Sequence, residues 1–171
     1  MKTKKSIVVA IDGNCASGKT TLGEKLAETF DARIIHTDDF YLPKGLKDLT
    51  TSNDGNMDLS RLNEEIISHL SDKFLIYRPF SCKEQKIISE KKLDRKELTI
   101  IEGSYSLNPF FGDYYDLSIF ISLPLEKQIE RLKIRNPNNY RDFVDKWIVL
   151  ENRYFEYYQI QKKADIIIKN I

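Results

Sequence analysis

The stretch Gly13-Asn14-Cys15-Ala16-Ser17-Gly18-Lys19-Thr20 follows the pattern G-x-x-x-x-G-K-[ST], which is typical of loops that bind the phosphates of a nucleoside triphosphate. The apolar run at residues 7–11 just before it predicts a buried parallel strand. Leu22, Leu26 and Phe30 follow it at helical spacing. A strand, a glycine-rich loop and a helix in this order form a phosphate cradle. An ordinary glycine-rich turn before a helix is the alternative interpretation.

The residues of this loop have separate predicted tasks. Gly13 and Gly18 let the backbone turn its N–H groups inward, where the N-terminus of the helix adds partial positive charge. Lys19 is expected to reach the β- and γ-phosphates, and the Thr20 hydroxyl to bind Mg²⁺. The motif therefore predicts a nucleoside triphosphate as donor. The predicted nucleotide-binding residues are Gly13, Asn14, Ala16, Ser17, Gly18, Lys19, Thr20 and Thr21.

Length, charge and cysteine content restrict the class of protein. The 171 residues predict one domain over residues 1–171. With 27 basic and 26 acidic residues the formal net charge is +1, so a nucleic-acid partner is disfavoured. A basic cluster at residues 2–5 precedes an apolar run that Asp12 ends too early for a signal peptide or membrane span. Cys15 and Cys82 are interpreted as reduced thiols of a cytoplasmic protein without a membrane partner.

Strands and helices alternate along the rest of the chain. This alternation predicts an α/β fold with a mostly parallel sheet, helices on both faces, and ligands at the carboxyl ends of the strands. Asp58 is expected to cap a helix, and residues 37–56 form a long loop of the kind that is either functional or disordered. Phe143, Trp147 and Tyr154 are expected in the core, with stacking on a base as the alternative. Further strands are predicted at residues 32–36, 98–101, 117–122 and 164–168, and a possible hairpin at 74–80 with 84–93.

Acidic residues end three predicted strands: Asp12, the pair Asp38-Asp39, and Glu102. Phosphoryl transfer to an alcohol needs a carboxylate that orients the hydroxyl or accepts its proton, and it needs oxygen ligands for Mg²⁺. Asp38 and Asp39 could supply both, and Glu102 could reach the metal directly or through water. A loop-starting turn at the aspartates and a solvated glutamate are the alternatives.

The predicted helix after Pro124 contributes cations. Arg131 and Arg135 are four residues apart and share a helix face, within a candidate lid at residues 124–141. Arginines on a mobile lid can stabilise the charge on a transferred phosphoryl group. A solvated face, with Glu130 as partner, is the alternative. The two histidines are expected to have local roles, with His36 packed or hydrogen-bonded near its strand and His69 on a helix surface.

Three motifs together resemble the uridine kinase-like family, which belongs to the group containing phosphoribulokinase, pantothenate kinase and nicotinamide riboside kinase. They are the glycine-rich loop, Asp38-Asp39-Phe40-Tyr41, and Glu102-Gly103-Ser104-Tyr105. The resemblance implies a three-layer α/β/α P-loop NTPase fold of the nucleoside and nucleotide kinase type, with a short helical lid. The sequence departs from typical uridine kinases in two places: Asp39 replaces a serine, and residues 136–139 replace an arginine-dense run.

The resemblance also implies an activity, namely ATP- and Mg²⁺-dependent phosphorylation of a hydroxyl on a small molecule. A nucleoside such as uridine is the first candidate acceptor. Other small acceptors, such as a coenzyme precursor or a sugar phosphate, stay open, as does an ATPase or switch that acts on a protein. By resemblance, Asp38 is the catalytic carboxylate, Thr20, Asp38 and Glu102 lie on the magnesium side, and Lys19, Arg131 and Arg135 stabilise transferred charge. Acceptor contacts are expected at Asp39, Tyr41, Asp58, Arg61, Arg78 and Tyr105.

Overall fold

A computed structural model describes residues 6–171, so the basic cluster at residues 2–5 lies outside the described residues. The strands, in chain order, are β1 (Ile7–Gly13), β2 (Arg33–His36), β3 (Phe74–Tyr77), β4 (Phe80–Ser81), β5 (Lys86–Ile87), β6 (Lys91–Asp94), β7 (Leu98–Glu102), β8 (Leu117–Ser122) and β9 (Ile166–Lys169). The α-helices are α1 (Lys19–Phe30), α2 (Leu59–Glu65), α3 (Leu125–Arg135), α4 (Tyr140–Asp142), α5 (Ile148–Tyr158) and α6 (Ile160–Lys163). A π-helical turn, Phe143–Trp147, joins α4 to α5.

A five-stranded sheet within residues 6–171 has the order β2-β7-β1-β8-β9, and its neighbouring strands are all parallel. Successive side chains of β1 point to opposite faces, as strand geometry requires. Val8 and Ala10 join a core with residues of α2 and α5, whereas Val9 and Ile11 pack against residues of α1. Helices therefore cover both faces, and the predicted three-layer α/β/α arrangement is confirmed.

Two neighbouring strands are longer than predicted. β1 continues to Gly13 and β7 continues to Glu102, so Asp12 and Glu102 lie within their strands. The edge strand β9 is exposed along its whole length, in contrast to the buried β1. The predicted hairpin is present as two short antiparallel ladders, β3 with β6 and β4 with β5.

The loop after β2 folds back on itself. It begins with a 3-10 turn, Thr37–Phe40, and closes where Leu42 N donates to Asn56 O at 2.9 Å. The Arg153 guanidinium of α5 donates to the carbonyl oxygens of Leu49, Thr50 and Ser52 at 2.8–3.3 Å. These contacts fix residues 41–56 beside the carboxyl ends of the strands. No helix within residues 6–171 is both long and apolar enough to cross a membrane.

Candidate functional site

A cleft of about 970 Å³ opens at the carboxyl ends of β1, β2 and β7. We call its two halves the phosphate-loop side, formed by residues 15–21 with Glu102, Arg131 and Arg135, and the hairpin side, formed by Tyr41, Leu42, Lys44, Asn56, Phe80, Cys82 and Gln85. Asp38 lies between them and lines the same cleft. The cleft thus joins the predicted donor-binding loop to residues outside the central sheet.

Backbone geometry shapes the phosphate loop. Gly13 has φ +145, and a Cβ at this position would lie 2.2 Å from the carbonyl oxygen of Ile121 in β8, so only glycine fits. Gly18 takes the left-handed region, φ 101, at the N-cap of α1. The Lys19 ammonium donates to the carbonyl oxygens of Gly13 at 2.8 Å and Asn14 at 2.9 Å. The loop is therefore preformed around the Lys19 ammonium, and the contact of Lys19 with the β- and γ-phosphates stays a prediction.

Glu102 connects the loop to β2. Its Oε2 accepts a hydrogen bond from the Thr20 hydroxyl at 3.2 Å, and its Oε1 lies 2.5 Å from Nδ1 of His36. Only 3% of the Glu102 side chain is exposed, against 31% of the His36 side chain. The hydrogen bond with Glu102 raises the pKa of His36, although burial opposes the rise.

Asp38 lies in the 3-10 turn after β2, and its side chain is exposed to the solvent inside the cleft. Because protein atoms surround the cleft, the carboxyl is partly desolvated, which raises the pKa of Asp38, while the nearby Lys19 charge lowers it. Burial and the Asp38 charge together raise the pKa of Tyr41. A carboxylate with a raised pKa beside a phosphate loop is suited to accepting a proton from an acceptor hydroxyl.

The predicted magnesium residues form an oxygen-rich group. The Thr20 hydroxyl and a Glu102 carboxylate oxygen lie 3.2 Å apart, and Asp38 lines the same cleft. Among residues 6–171 no group of three or more His, Cys, Asp or Glu side chains could hold a metal ion. Mg²⁺ in nucleotide enzymes uses one or two carboxylates together with substrate phosphates and water, so this donor set fits Mg²⁺ carried by a nucleotide.

The two predicted lid arginines face the loop. Arg131 of α3 donates to the carbonyl oxygen of Ala16 at 3.2 Å. Arg135, at the end of α3, also lines the cleft, and its guanidinium lies 5.7 Å from the centroid of the Phe143 ring. α3 ends at Arg135, and the Asn-Pro-Asn-Asn segment at residues 136–139 follows it directly. Both arginines are therefore next to the expected phosphate position.

The predicted acceptor residues divide into two groups. Tyr41 and Tyr105 line the cleft. Asp39 does not: its Oδ2 accepts from the Tyr77 hydroxyl at 2.9 Å and from Lys91 at 3.0 Å. Asp39 thus holds the β3–β6 hairpin against the turn that contains Asp38.

Asp58, Arg61 and Arg78 also lie away from the residues that line the cleft. Asp58 caps α2 by accepting from the Arg61 backbone N–H at 3.1 Å. The Arg61 guanidinium donates to the carbonyl oxygens of Arg78 at 2.7 Å and Asp39 at 2.9 Å. The Arg78 side chain is exposed and lies 3.9 Å from Glu65. Because these groups bind one another, they hold the hairpin side together rather than face an acceptor.

Several residues that line the cleft were not identified as site residues from the sequence. Phe143 and Trp147, expected in the core, are half-buried and line the cleft, whereas Tyr154 is fully buried as predicted. The π-helical turn changes the helical register here, so a stripe at regular helical spacing divides between cleft and core. Hairpin-side residues become neighbours of Asp38 only through tertiary structure. Cleft residues that the sequence did not single out include Leu42, Lys44, Cys82 and Gln85 on the hairpin side, and Lys146 and Glu151 elsewhere in the cleft.

Two carboxyl groups are buried next to the phosphate loop: Asp12 lies behind the loop, and Glu151 lines the cleft. Asp12 accepts hydrogen bonds from the backbone N–H groups of Gly13 at 2.8 Å and Leu107 at 3.2 Å, and from the Tyr154 hydroxyl at 2.9 Å. Burial raises the pKa of Asp12 to about 6. Glu151 accepts from the Ser104 hydroxyl at 2.6 Å, and burial raises its pKa as well. Asp12 therefore supports the loop from behind instead of entering the cleft.

Comparison with known structures places this arrangement among known folds. A possible uridine kinase from Bacillus stearothermophilus has a TM-score of 0.75 at 20% identity, covering 98% of this chain and 91% of that chain. Phosphoribulokinase from Rhodobacter spheroides has a TM-score of 0.65 at 14% identity, covering 97% of this chain and 70% of that chain. The fold is that of the P-loop kinases.

Sequence comparison with curated proteins finds tRNA dimethylallyltransferases. No family model matches the chain. The tRNA dimethylallyltransferase of Rickettsia prowazekii is 28% identical over 146 residues, which are 84% of this chain and 44% of that protein. The chain thus spans less than half the length of the curated relatives it matches. Within this fold, the glycine-rich loop has the pattern of a loop that binds a nucleoside triphosphate.

Proposed function

We propose that this chain is an ATP-dependent kinase that transfers the γ-phosphoryl group to a hydroxyl of a small molecule, with a nucleoside such as uridine as the first candidate acceptor. The observation that supports the proposal most strongly is the shared cleft of Lys19, Thr20, Asp38 and Glu102. Triphosphate-binding groups and a carboxylate for the acceptor meet there without an intervening element. A triphosphate-binding switch protein would not need such a carboxylate beside an open cavity.

Asp38 is the proposed base. It orients the acceptor hydroxyl and accepts its proton while the hydroxyl oxygen forms a bond to the γ-phosphorus. The bond between the γ-phosphorus and the oxygen bridging to the β-phosphate breaks, and ADP leaves with that oxygen. Lys19, Arg131 and Arg135 stabilise the negative charge of the transferred group, because charge stabilisation and positioning dominate this chemistry.

Thr20, Glu102 and Asp38 are the proposed residues on the magnesium side. When bound, Mg²⁺ neutralises charge on the β- and γ-phosphates. Glu102 is almost completely buried and already bonded to Thr20, so its carboxylate is held at the cleft before a ligand arrives. We propose that the segment at residues 124–141 acts as the lid within a single domain.

Aromatic side chains support a nucleoside acceptor. Tyr41, Phe80, Tyr105, Phe143 and Trp147 all line the cleft, and aromatic rings stack on planar bases. Lys44 and Lys146 line it as well. An acceptor with a carboxylate or phosphate, such as a coenzyme precursor or a sugar phosphate, is therefore the alternative kinase substrate.

An acceptor screen tests the proposal directly. ADP formation is measured with ATP and Mg²⁺ in the presence of nucleosides, vitamins, sugars and sugar phosphates. At least one hydroxyl compound should raise ADP formation well above the acceptor-free rate, and the phosphorylated product should appear by mass spectrometry. Acceptor-independent ATP hydrolysis alone would instead favour an ATPase.

The adjacent aspartates provide a matched pair of variants. Asp38→Asn should lower kcat by about 10²–10⁴-fold, the usual contribution of a general base, with little change in ATP affinity. Asp39→Asn should keep kcat within about threefold, since the Asp39 side chain bonds to Tyr77 and Lys91 outside the cleft. Near wild-type turnover of Asp38→Asn would remove Asp38 from its proposed role.

The sequence match to tRNA dimethylallyltransferases supports a second candidate, transfer of a dimethylallyl group to tRNA. The balanced charge of the chain gives it no general attraction for RNA. Incubation with tRNA and a dimethylallyl donor separates the candidates, because only a transferase would attach the group to tRNA. A positive result here, together with a negative acceptor screen, would replace the kinase proposal.

A further inference from the structure

The two histidines of this chain form similar hydrogen bonds to carboxylates in different surroundings. Nδ1 of His36 lies 2.5 Å from Oε1 of Glu102, next to the phosphate loop. Nδ1 of His69 lies 2.7 Å from Oδ2 of Asp72 on the surface, where both side chains are 53% exposed. An ionised carboxylate can only accept, so the ring nitrogen donates in both pairs. The chain therefore contains its own control for the effect of location.

Glu102 is held from two sides. The Thr20 hydroxyl binds Oε2 and His36 binds Oε1, which fixes the plane of the carboxylate. A glutamate has freely rotating side-chain bonds, and restricting them in advance removes an entropic cost from ligand binding. Without His36, Oε1 would lose its hydrogen bond to the ring while the side chain stays almost completely buried. An unpaired buried carboxylate oxygen is costly, and this cost favours rotation of the carboxylate away from Thr20.

We propose that His36 is a positioning residue that orients Glu102 for the Mg²⁺ of a bound nucleotide. This inference rests on the proposed function, since it assumes that Glu102 faces Mg²⁺ and nucleotide. His36 acts through Glu102 and does not contact the reacting atoms. Partners that orient a ligating carboxylate commonly change metal affinity by about 10–100-fold when they are removed.

Metal binding without turnover tests the role. Mn²⁺ is titrated, with electron paramagnetic resonance detection, into the full chain saturated with a nonhydrolysable ATP analogue and without acceptor. His36→Leu should weaken Mn²⁺ binding about 10–100-fold, while metal-free binding of the analogue changes by less than about twofold. His36→Asn carries an amide N–H near the Nδ1 position and should recover most of the affinity. His69→Leu should match the wild type.

The outcomes separate this inference from the proposed function. If the wild type binds Mn²⁺ with the analogue and His36→Leu binds it within about threefold, the positioning role is overturned and the kinase proposal stands. If the wild type binds no Mn²⁺ with the analogue, both are overturned. In the assay with an identified acceptor, His36→Leu should raise the Mg²⁺ concentration needed for half-maximal rate more than it lowers kcat at saturating Mg²⁺.

A measurement on the wild type covers the case in which His36→Leu does not fold. Nitrogen-15 chemical shifts of the imidazole rings report which ring nitrogen carries the proton. In the complex with Mg²⁺ and the analogue, Nδ1 of His36 should remain protonated because Glu102 accepts from it. A His36 ring protonated only at Nε2 in that complex would overturn the proposal.

Discussion

The phosphate-loop side of the cleft is anchored directly to the central sheet, whereas the hairpin side is assembled from segments outside it. Gly13 ends β1 and lies against the backbone of Ile121 in the neighbouring β8. On the other side, residues 41–56 are held by bonds to backbone carbonyls from Arg153, and the hairpin by Asp39 and Arg61. The proposed donor site is thus anchored to the core of the fold, and the proposed acceptor site is an addition to it.

This difference explains why the two sides should respond differently to substitution. Strands in register fix the loop, so small changes there disturb the sheet itself. The hairpin side rests on side-chain bonds that are partly solvated, and single losses there are modest. Acceptor preference can therefore change while donor binding stays intact, consistent with a fold that serves several kinases.

The largest expected contrast comes from adding a methyl group to one glycine on each side. In Gly13→Ala the new Cβ would lie 2.2 Å from a backbone oxygen that cannot move alone, so we expect a loss above about 4 kcal/mol of unfolding free energy or no folded protein. In Gly45→Ala nothing lies within 4 Å and only the positive φ, +86, is strained, which costs about 1–2 kcal/mol. Urea denaturation measures both.

Equal losses in the two variants would contradict the comparison. A small loss in Gly13→Ala would mean that β1 and β8 separate easily at the loop. A large loss in Gly45→Ala would mean that residues 41–56 are part of the folding core. Nucleotide affinity supplies a second measurement, since Gly45→Ala should leave it unchanged.

The same contrast describes what the sequence could predict. The strand, loop and helix around Gly13–Lys19 follow from local patterns: apolar runs, helical spacing and glycine positions. Glu102 could be placed because parallel strands bring their carboxyl ends to one edge. All of these signals are local in the sequence or follow from the parallel order of the strands.

The hairpin side was predictable only in part. Asp38 and Tyr41 were identified from a motif, but nothing local distinguishes an aspartate that faces a cleft from Asp39, which binds Lys91 more than fifty residues later. Arg61 looks like a free cation in sequence, yet it binds the carbonyl oxygens of Arg78 and Asp39, which are 17 and 22 residues away in the chain. The π-helical turn at Phe143–Trp147 breaks the periodicity on which the core assignment depended.

The next largest expected effect is on the pH dependence of the unfolding free energy, through the buried Asp12 carboxyl behind the loop. Burial raises the pKa of Asp12 from 3.8 to about 6. Between these values the folded state holds a proton that the unfolded chain has released. The stability from this protonation is complete below pH 3.8 and is lost as pH rises through about 6, a loss of about 3 kcal/mol. We therefore expect the unfolding free energy of the wild type, relative to Asp12→Asn, to fall from pH 4 to pH 7.

Urea denaturation of both proteins at several pH values checks this expectation. Asp12→Asn keeps one oxygen to accept from the three surrounding donors but cannot titrate. Comparing the two proteins removes the contribution of other acids that both chains share. A difference in unfolding free energy that stays constant between pH 4 and pH 7 would show that Asp12 is already ionised in the folded state at pH 4.

The smallest expected perturbation comes from thiol labelling, because the chain has one cysteine on each side of the cleft. Cys15 in the phosphate loop is 7% exposed, and burial raises its pKa to about 11, so only about one molecule in a thousand carries the thiolate at pH 8. Cys82 on the hairpin side is exposed. Iodoacetamide should therefore label Cys82 first and Cys15 only upon unfolding, with the sites assigned by mass spectrometry.

Two controls accompany this labelling experiment. Cys82→Ser should leave the folded chain unlabelled, and a bound acceptor should slow labelling of Cys82. Equal labelling rates at the two thiols would mean that the phosphate loop opens as readily as the hairpin side, and the distinction between a fixed donor site and an added acceptor site would fail.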